Sequence, residues 1–175
     1  MAVRAKRDAS AFATIYDRYL DRIYRYVRYR TSDPRDAEDL TSEVFVRALR
    51  AIGRYAPSAP FYAWIYRIAR NAVIDHHRSK RDDLPLTGVV DPADVHPVVD
   101  PEHHAIAGDR REHLARALAH LAEEQQEVIV LRFIEGLSPE ECGLVVGKRP
   151  ASVRDLQFRA LRALRRHISP EELAP

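Results

Sequence analysis

The interval from residue 82 to 108 constrains the fold of this chain more than any other feature, because it divides the sequence in two. It is rich in proline and aspartate and shows no sustained apolar periodicity. Such a composition is typical of an extended linker, and a loop of this length is unusual inside one compact domain. The sequence therefore predicts two small domains, residues 9–81 and 109–167, joined by the linker 82–108.

The first segment carries apolar residues at helical spacing over residues 12–27, 40–52 and 61–74. This periodicity predicts three amphipathic helices that pack as a bundle. Asp33 precedes a proline and is expected to cap the second helix, whereas Gly53 is expected to end it.

The second segment is also helical in pattern, and its last part resembles two short helices around a turn. Ser138 to Glu141 reads as a capping box with a proline at the first helical position. Gly147 is expected to end this short helix, and Pro150 to start the next. The apolar stripe of that last helix is predicted to include Val153, Leu156, Leu161 and Leu164. Two short helices joined through a glycine indicate a helix-turn-helix, so the predicted fold is all-α with two small helical domains.

Composition narrows the possible environments. The chain has 175 residues, a net charge of +2 and one cysteine, Cys142, which excludes an internal disulfide framework. The first seven residues lack the apolar stretch of a signal peptide, and no apolar run reaches the length of a membrane span. We therefore expect a cytoplasmic protein without membrane insertion. Lys and Arg are absent between Arg81 and Arg110, so the linker is acidic and the basic charge lies in the two domains.

Three carboxylates form an acidic stripe on the second predicted helix. Asp36, Asp39 and Glu43 are spaced by three and four residues, so they share one helix face. On spacing alone such a stripe indicates a solvated surface.

Four stretches carry a resemblance to a known family: residues 36–49 (DAEDLTSEVFVRAL), 61–71 (FYAWIYRIARN), 135–143 (EGLSPEECG) and 152–161 (SVRDLQFRAL). Together they resemble the extracytoplasmic-function sigma factors of bacteria. The resemblance covers residues 9–81 and 109–167. It implies a transcription initiation factor, not an enzyme, that binds core RNA polymerase and directs it to promoter DNA.

The resemblance also implies partners and their sites. The acidic stripe matches the docking surface for the coiled coil of the largest polymerase subunit, with the flap of the second-largest subunit as a further contact. An anti-sigma factor is the expected regulator. The acidic linker, threaded through the basic RNA exit path, would mimic the phosphates of nascent RNA.

The N-terminal domain is expected to recognise and melt the minus-ten element. By the resemblance, the loop 54–60 receives one flipped base of the non-template strand, and the amide of Asn71 helps to line that pocket. Prolines at Pro57 and Pro60 depart from the family pattern in this loop. Trp64 is interpreted as a core residue. The predicted minus-ten contacts are Ser58, Ala59, Tyr62, Tyr66, Arg67, Arg70 and Asn71, with the two tyrosines as stacking surfaces.

The C-terminal domain is expected to read the minus-thirty-five element through its last helix, in the major groove. The pair Leu156 and Gln157 departs from the family pattern, in which a basic residue precedes an apolar one. The predicted contacts are Arg149, Ser152, Arg154, Asp155, Phe158 and Arg159.

Two other classes of function compete with that of a sigma factor. An autonomous helix-turn-helix regulator, binding a palindrome as a dimer, explains the C-terminal half but gives no purpose to the acidic stripe or to Asn71. A metal or haem protein is not supported, because the spacing of the eight histidines and Cys142 forms no closed ligand set. No catalytic residues and no cofactor are predicted.

Overall fold

The computed structural model describes residues 9–82 and 105–166, and these residues are all helices and turns. The helices are α1 (Ala9–Arg28), α2 (Pro34–Ala51), α3 (Phe61–Asp82), α4 (Ala105–Ala119), α5 (Glu123–Ile129), α6 (Pro139–Val146) and α7 (Pro150–Leu164). A 3-10 turn follows α2 at Ile52–Arg54, and a π turn follows α5 at Val130–Ile134. The prediction of an all-α fold in two helical regions is confirmed. The extended linker was predicted over residues 82–108. Residues 83–104 lie outside the described residues, whereas Asp82 ends α3 and residues 105–108 already belong to α4.

Helices α1, α2 and α3 pack as a bundle around buried aliphatic and aromatic side chains such as Ile23, Val44 and Ile65. Asp33 caps α2 as predicted, because its side chain accepts a hydrogen bond from the Arg35 backbone amide at 2.8 Å. Local sequence rules therefore place the start of this helix correctly.

Trp64 lies at the edge of this core, half-buried. Its ring centroid is 5.3 Å from that of Tyr55 and 5.2 Å from that of Phe61. These tilted contacts are those of a packed aromatic cluster. The interpretation of Trp64 as a residue that packs on the core agrees with this geometry.

The end of α2 differs from the prediction. The helix ends at Ala51 and tightens into the 3-10 turn, so the chain passes through Gly53 without the positive φ of a glycine stop. Ile52 is buried in the core, and this contact holds the turn against the bundle. Tertiary packing thus decides this helix end, where the sequence suggested a glycine.

The helix-turn-helix of the C-terminal domain forms as predicted. The Ser138 hydroxyl accepts from the Glu141 amide at 3.1 Å, and the Glu141 carboxylate accepts from the Ser138 amide at 2.8 Å. Gly147 ends α6 with a φ of 71°, a conformation in which glycine is strongly favoured. Gly143 lets the turn after α6 fold back against that helix, since a Cβ there would lie 2.5 Å from the Lys148 carbonyl oxygen.

One position in the predicted apolar stripe of α7 is wrong. Leu161 is 38% exposed, and Ala160 is fully buried in its place. The buried positions are Val153, Leu156, Ala160 and Leu164. Their spacing of three, four and four residues follows one helix face, from which Leu161 is rotated by one position.

The two helical regions pack directly on each other. Helix α3 contacts α6, and α1 contacts the π turn. This contact surface between the two domains, here called the seam, was not predicted from the sequence. The seam determines the positions of several candidate site residues. Within the described ranges, no helix is long and apolar enough to cross a membrane.

Candidate nucleic-acid interface

The outer face of α7 presents the six residues predicted to contact the minus-thirty-five element. Arg149, Ser152, Arg154, Asp155, Phe158 and Arg159 are all exposed. Phe158 is 69% exposed, which is unusual for an aromatic side chain without a partner. Val153 and Leu156 fix the opposite face of the helix in the core. The helix therefore displays cationic, polar and apolar groups together, as base edges in a major groove require.

Two arginines of this helix have contacts of their own within the domain. Arg154 donates to the Glu140 carboxylate at 2.7 Å, and Arg159 contacts the Asp155 carbonyl oxygen at 3.4 Å. Both side chains lie at the surface, where such contacts contribute little free energy. The arginines can therefore exchange them for nucleic acid.

The loop before α3 is ordered by one internal hydrogen bond. The Tyr55 hydroxyl donates to the Ala59 carbonyl oxygen at 2.8 Å, and the Tyr55 ring is buried. Ser58 and Asn71 are exposed, while Tyr62 is half-buried. Burial raises the pKa of Tyr62, and the nearby Glu141 carboxylate adds to this. The loop and Asn71 thus remain accessible to a base, and Tyr62 lies beside the C-terminal domain.

Tyr66, predicted as a stacking surface for an unpaired base, is buried in this conformation, and its stacking role stays a prediction. The side chain is fully buried, and its hydroxyl donates to Glu135 of the C-terminal domain at 2.5 Å. Burial and the Glu135 carboxylate raise the pKa of Tyr66 well above its usual value. The C-terminal domain binds the hydroxyl end of Tyr66, and the ring packs edge-on against Tyr26 of α1, with centroids 5.4 Å apart.

The two predicted arginines of α3 also contact the C-terminal domain. Arg67 donates through Nε and Nη2 to the Leu144 carbonyl oxygen at 2.9 and 2.6 Å. Arg70 Nε lies 3.1 Å from the Glu127 carboxylate. The predicted minus-ten contacts therefore divide into an accessible group at the loop and Asn71, and a group engaged at the seam.

The acidic stripe of α2 is partly neutralised within the N-terminal bundle. Asp36 accepts from Lys80 at 2.6 Å, with His76 at 3.4 Å, and Glu43 pairs with Arg47 at 2.7 Å. The spacing of Glu43 and Arg47, four residues apart on one helix, was a readable signal for this pair. Asp39 is exposed and forms no ion pair within the described part of the chain.

The seam contains charged residues that the sequence analysis did not select. Glu127 and Glu135 are buried, and they bind Tyr26, Arg30 and other side chains of the N-terminal bundle. The sequence did contain a signal for these two residues. Glutamates that flank the mostly apolar segment from Val128 to Ile134 must either face solvent or be bound by buried cations and hydrogen-bond donors.

Histidine and acidic side chains do not form a metal centre in the described ranges. No group of three or more His, Cys, Asp or Glu residues there is arranged to hold an ion. Burial raises the pKa of the Cys142 thiol to about 12, so this cysteine is a protonated core residue at neutral pH.

A helical bundle and a helix-turn-helix with an exposed recognition helix define a two-domain helical DNA-binding protein. The two domains match two family models, "Sigma-70 region 2" over residues 15–82 and "Sigma-70, region 4" over residues 111–164. The sequence is 30% identical to the ECF RNA polymerase sigma factor SigW of Bacillus subtilis, over 93% of this chain and 91% of SigW. The chain belongs to the extracytoplasmic-function (ECF) family of RNA polymerase sigma factors.

Two further comparisons extend this result. The ECF RNA polymerase sigma factor BldN of Streptomyces coelicolor is 41% identical over 162 residues, which are 91% of this chain and 61% of BldN. The chain thus spans about three fifths of the length of BldN. The solved structure of CnrH, in complex with the cytosolic domain of CnrY, has the same fold, with a TM-score of 0.74 at 24% identity over 95% of this chain and 93% of CnrH.

Proposed function

We propose that the chain is a transcription initiation factor that binds core RNA polymerase and directs it to specific promoters. The observation that carries this proposal is the exposure of the six predicted base-reading side chains, Arg149 at the N-cap of α7 and five within it. The other domain of the chain matches the Sigma-70 region 2 model. The helix-turn-helix would read the minus-thirty-five element, and the N-terminal bundle would melt the minus-ten element.

The accessible surfaces support a division of functions between the two domains. Asp39, at the centre of the acidic stripe, is the docking charge we assign to the coiled coil of the largest polymerase subunit. The C-terminal domain is assigned to the flap of the second-largest subunit. Ser58, Ala59 and Asn71 would receive the flipped base, and stacking on aromatic rings would offset the cost of extruding it.

Regulation by an anti-sigma factor is part of the same proposal. The Bartonella quintana sigma factor RpoE, which shares this fold, has been solved in complex with the anti-sigma factor NepR. For this chain we expect a cytoplasmic location, association with the nucleoid when active, and retention at the membrane if its anti-sigma factor is membrane-bound.

The test begins with the purified chain and core RNA polymerase. We expect the two to co-elute in size-exclusion chromatography, and the reconstituted holoenzyme to select two separated elements at a fixed spacing from a library of random promoters. The double variant Arg154→Ala, Arg159→Ala should lose preference at the upstream element only, by roughly 1–3 kcal/mol for each lost bidentate contact. Selection of a single palindrome by the chain alone, without co-elution, would instead establish an autonomous regulator.

A further inference from the structure

Two glutamates are buried at the seam between the domains. The side chains of Glu127 and Glu135, here called the seam glutamates, are 3% and 0% exposed. A buried carboxylate is costly unless cations and hydrogen-bond donors surround it. In the described structure, the side chains that donate to these two carboxylates all belong to the N-terminal bundle. The seam glutamates therefore make the C-terminal domain a ligand of the N-terminal one.

Glu135 binds three donors from α1 and α3. Arg22 Nε lies 3.1 Å from one carboxylate oxygen, and Arg25 Nε lies 3.3 Å from the other. The Tyr66 hydroxyl donates to the same carboxylate at 2.5 Å, and Arg22 also donates to the Glu135 backbone carbonyl at 3.1 Å. This carboxylate is thus held by two guanidinium groups and a phenol.

Glu127, which lies in α5, is bound in the same manner by donors of the N-terminal bundle. The Tyr26 hydroxyl donates to it at 2.8 Å, Arg30 Nη1 lies 3.3 Å away, and Arg70 Nε lies 3.1 Å away. At the edge of the seam, Glu123 accepts a hydrogen bond from Arg81. Three carboxylates of α5 and the turn after it therefore meet a row of arginines.

The donors on the N-terminal side include a set that suits nucleic acid. Arg22, Arg25, Tyr66 and Arg70, here called the basic face, combine guanidinium groups with an aromatic ring. Guanidinium groups bind carboxylate and phosphate oxygens with the same geometry. Basic side chains next to an aromatic ring are typical of surfaces that bind unpaired strands. The seam glutamates thus occupy positions where the phosphates of a strand would bind.

We propose that the C-terminal domain is an intramolecular competitor of nucleic acid. The seam glutamates close this domain over the basic face, and single-stranded DNA displaces it. The closed chain is then unable to stack a base on Tyr66 or to bind phosphates with Arg22, Arg25 and Arg70. This proposal rests on the proposed function only in taking melted promoter DNA as the strand that the basic face receives.

The seam is built so that it can open. Charged groups and hydrogen bonds cross it, and polar interfaces between domains favour relative motion. A cavity of about 350 Å³ lies along it, lined from both domains by residues such as His77 and Arg116. Arg30 Nε is buried there without a hydrogen-bond acceptor among the described residues. Incomplete packing and an unsatisfied donor both raise the free energy of the closed form.

Neutral variants of the seam glutamates should shift the balance to the open form. Opening returns both carboxylates to water, so the open form leaves no charge buried. In a closed variant that lacks them, Arg30 and its neighbours would stay buried without a counterion, which is strongly unfavourable. The closed form therefore depends on these two negative charges more than the open form does.

The test uses the full chain with Glu127→Gln and Glu135→Gln combined. The control combines Glu38→Gln and Glu124→Gln, which remove two charges from exposed positions, and Glu124 pairs with Lys148 of its own domain. Spin labels at Ala13→Cys and Ala151→Cys, both exposed and in different domains, report the distance between the domains. Cys142 is buried and does not compete for the label.

We expect one short distance in the wild type and the control, and longer, broader distances in the seam variant. Affinity for a fluorescent 15-nucleotide oligodeoxythymidine should rise about tenfold in the seam variant if about a tenth of the wild-type chain is open. Adding Arg22→Gln and Arg25→Gln to the seam variant should reverse this gain while the distances remain long. Circular dichroism establishes that each variant retains its helices.

A second measurement applies to the chain without substitutions in the seam. Saturating oligodeoxythymidine should lengthen the distance between the two labels in the otherwise unmodified chain. Unchanged distances with bound oligonucleotide, or equal affinities of the seam variant and the control, would overturn the proposal. Co-elution with core polymerase is scored separately, so a chain that opens on DNA but fails to bind polymerase refutes the proposed function alone.

Discussion

At the level of single residues, the acidic stripe illustrates how surroundings separate side chains of the same type. Asp36 and Glu43 are already paired with Lys80 and Arg47, and Asp39 between them is exposed. A new partner must displace a cation from the first two, although exposed pairs contribute little free energy and exchange readily. Asp39 has no such competitor in the described structure. Its charge is therefore the one most available to a polymerase arginine.

We predict that Asp39→Ala weakens binding to core RNA polymerase by about 2 kcal/mol or more, which is roughly thirtyfold. The reason is that a partner arginine would be desolvated without a counterion. Binding is measured by fluorescence anisotropy with labelled core enzyme. Asp21→Ala, which removes an exposed carboxylate from α1, is the control and should bind as the wild type does. Equal affinity of both variants would remove Asp39 from the docking surface.

A second prediction at this level concerns His77. Its Nε2 lies 2.8 Å from the Arg30 carbonyl oxygen, and the ring is partly buried at the seam. Burial lowers the pKa of His77 below its usual value of 6.5, and the hydrogen bond to the Arg30 carbonyl only partly opposes this. The unfolded chain therefore binds a proton more readily than the folded chain, and the free energy of unfolding falls as pH drops below 6.5.

The measurement is the urea midpoint of unfolding at about pH 7.5 and about pH 5.5. We expect the midpoint of the wild type to fall with pH, and that of His77→Gln to fall less, because the variant lacks the titrating ring. Carboxylates and other histidines contribute equally to both proteins. Identical pH dependence of the two midpoints would show that His77 titrates normally.

At the level of helices, sequence rules succeeded where the determinant is local and failed where it is tertiary. Asp33 and Ser138 cap their helices by accepting hydrogen bonds from backbone amides two and three residues later. The local sequence is therefore sufficient to predict where these helices begin. The π turn Val130–Ile134 was not predicted. There the Glu135 amide donates to the Val130 carbonyl at 3.0 Å, five residues back. The extra residue in the turn rotates Glu135 relative to α5. The local composition of the sequence does not predict this π turn.

The close approach of Gly143 in α6 to the backbone of the following turn gives a prediction with a matched control. A Cβ at Gly143 would lie 2.5 Å from the Lys148 carbonyl oxygen, so Gly143→Ala must displace backbone in the helix-turn-helix. We expect a loss of about 1–3 kcal/mol in the free energy of unfolding, as for other overpacked sites.

The control for this prediction is Gly53→Ala. A Cβ at Gly53 meets no atom within 4 Å, and its φ is not positive. That variant should be neutral or stabilised by up to about 1 kcal/mol, because alanine reduces the entropy of the unfolded chain. Urea denaturation of both proteins gives the difference. Equal stabilities of the two variants would contradict the close approach of Gly143 to the turn at Lys148.

At the level of the whole molecule, the sequence predicted the helices that carry the candidate site residues, but it did not predict how the two domains pack on each other. Helical spacing sufficed to place the six residues of α7 outward. The burial of Tyr66 depends on Glu135, which is 69 residues away in the sequence, and Arg22 reaches the same carboxylate across 113 residues. In the sequence alone, an arginine such as Arg22 is typical of a solvated helix face. Only the packing of the two domains reveals the pairing.

Asn71 allows the steps of promoter opening to be separated in the whole complex. Its side chain is exposed on α3, so Asn71→Ala should leave the fold and the binding to core polymerase unchanged. The proposed pocket acts only on a base already removed from the stack, at a cost of a few kcal/mol for extrusion. We therefore predict fewer open complexes on duplex promoters, measured by permanganate reactivity. Ser79→Ala, an exposed change further along the same helix, is the control.

A template with a pre-melted bubble removes the cost of opening the strands but still requires the pocket to distinguish bases. Asn71→Ala should therefore regain much of its abortive transcription on the bubble, while its discrimination at the captured position stays lost. The proposed competition at the seam adds a condition, because the C-terminal domain binds the hydroxyl of Tyr66 on the same helix. Combining Asn71→Ala with Glu127→Gln and Glu135→Gln should leave base discrimination low even in the open chain. Wild-type discrimination on the bubble, or loss of polymerase binding by Asn71→Ala alone, would assign Asn71 to the structure of α3.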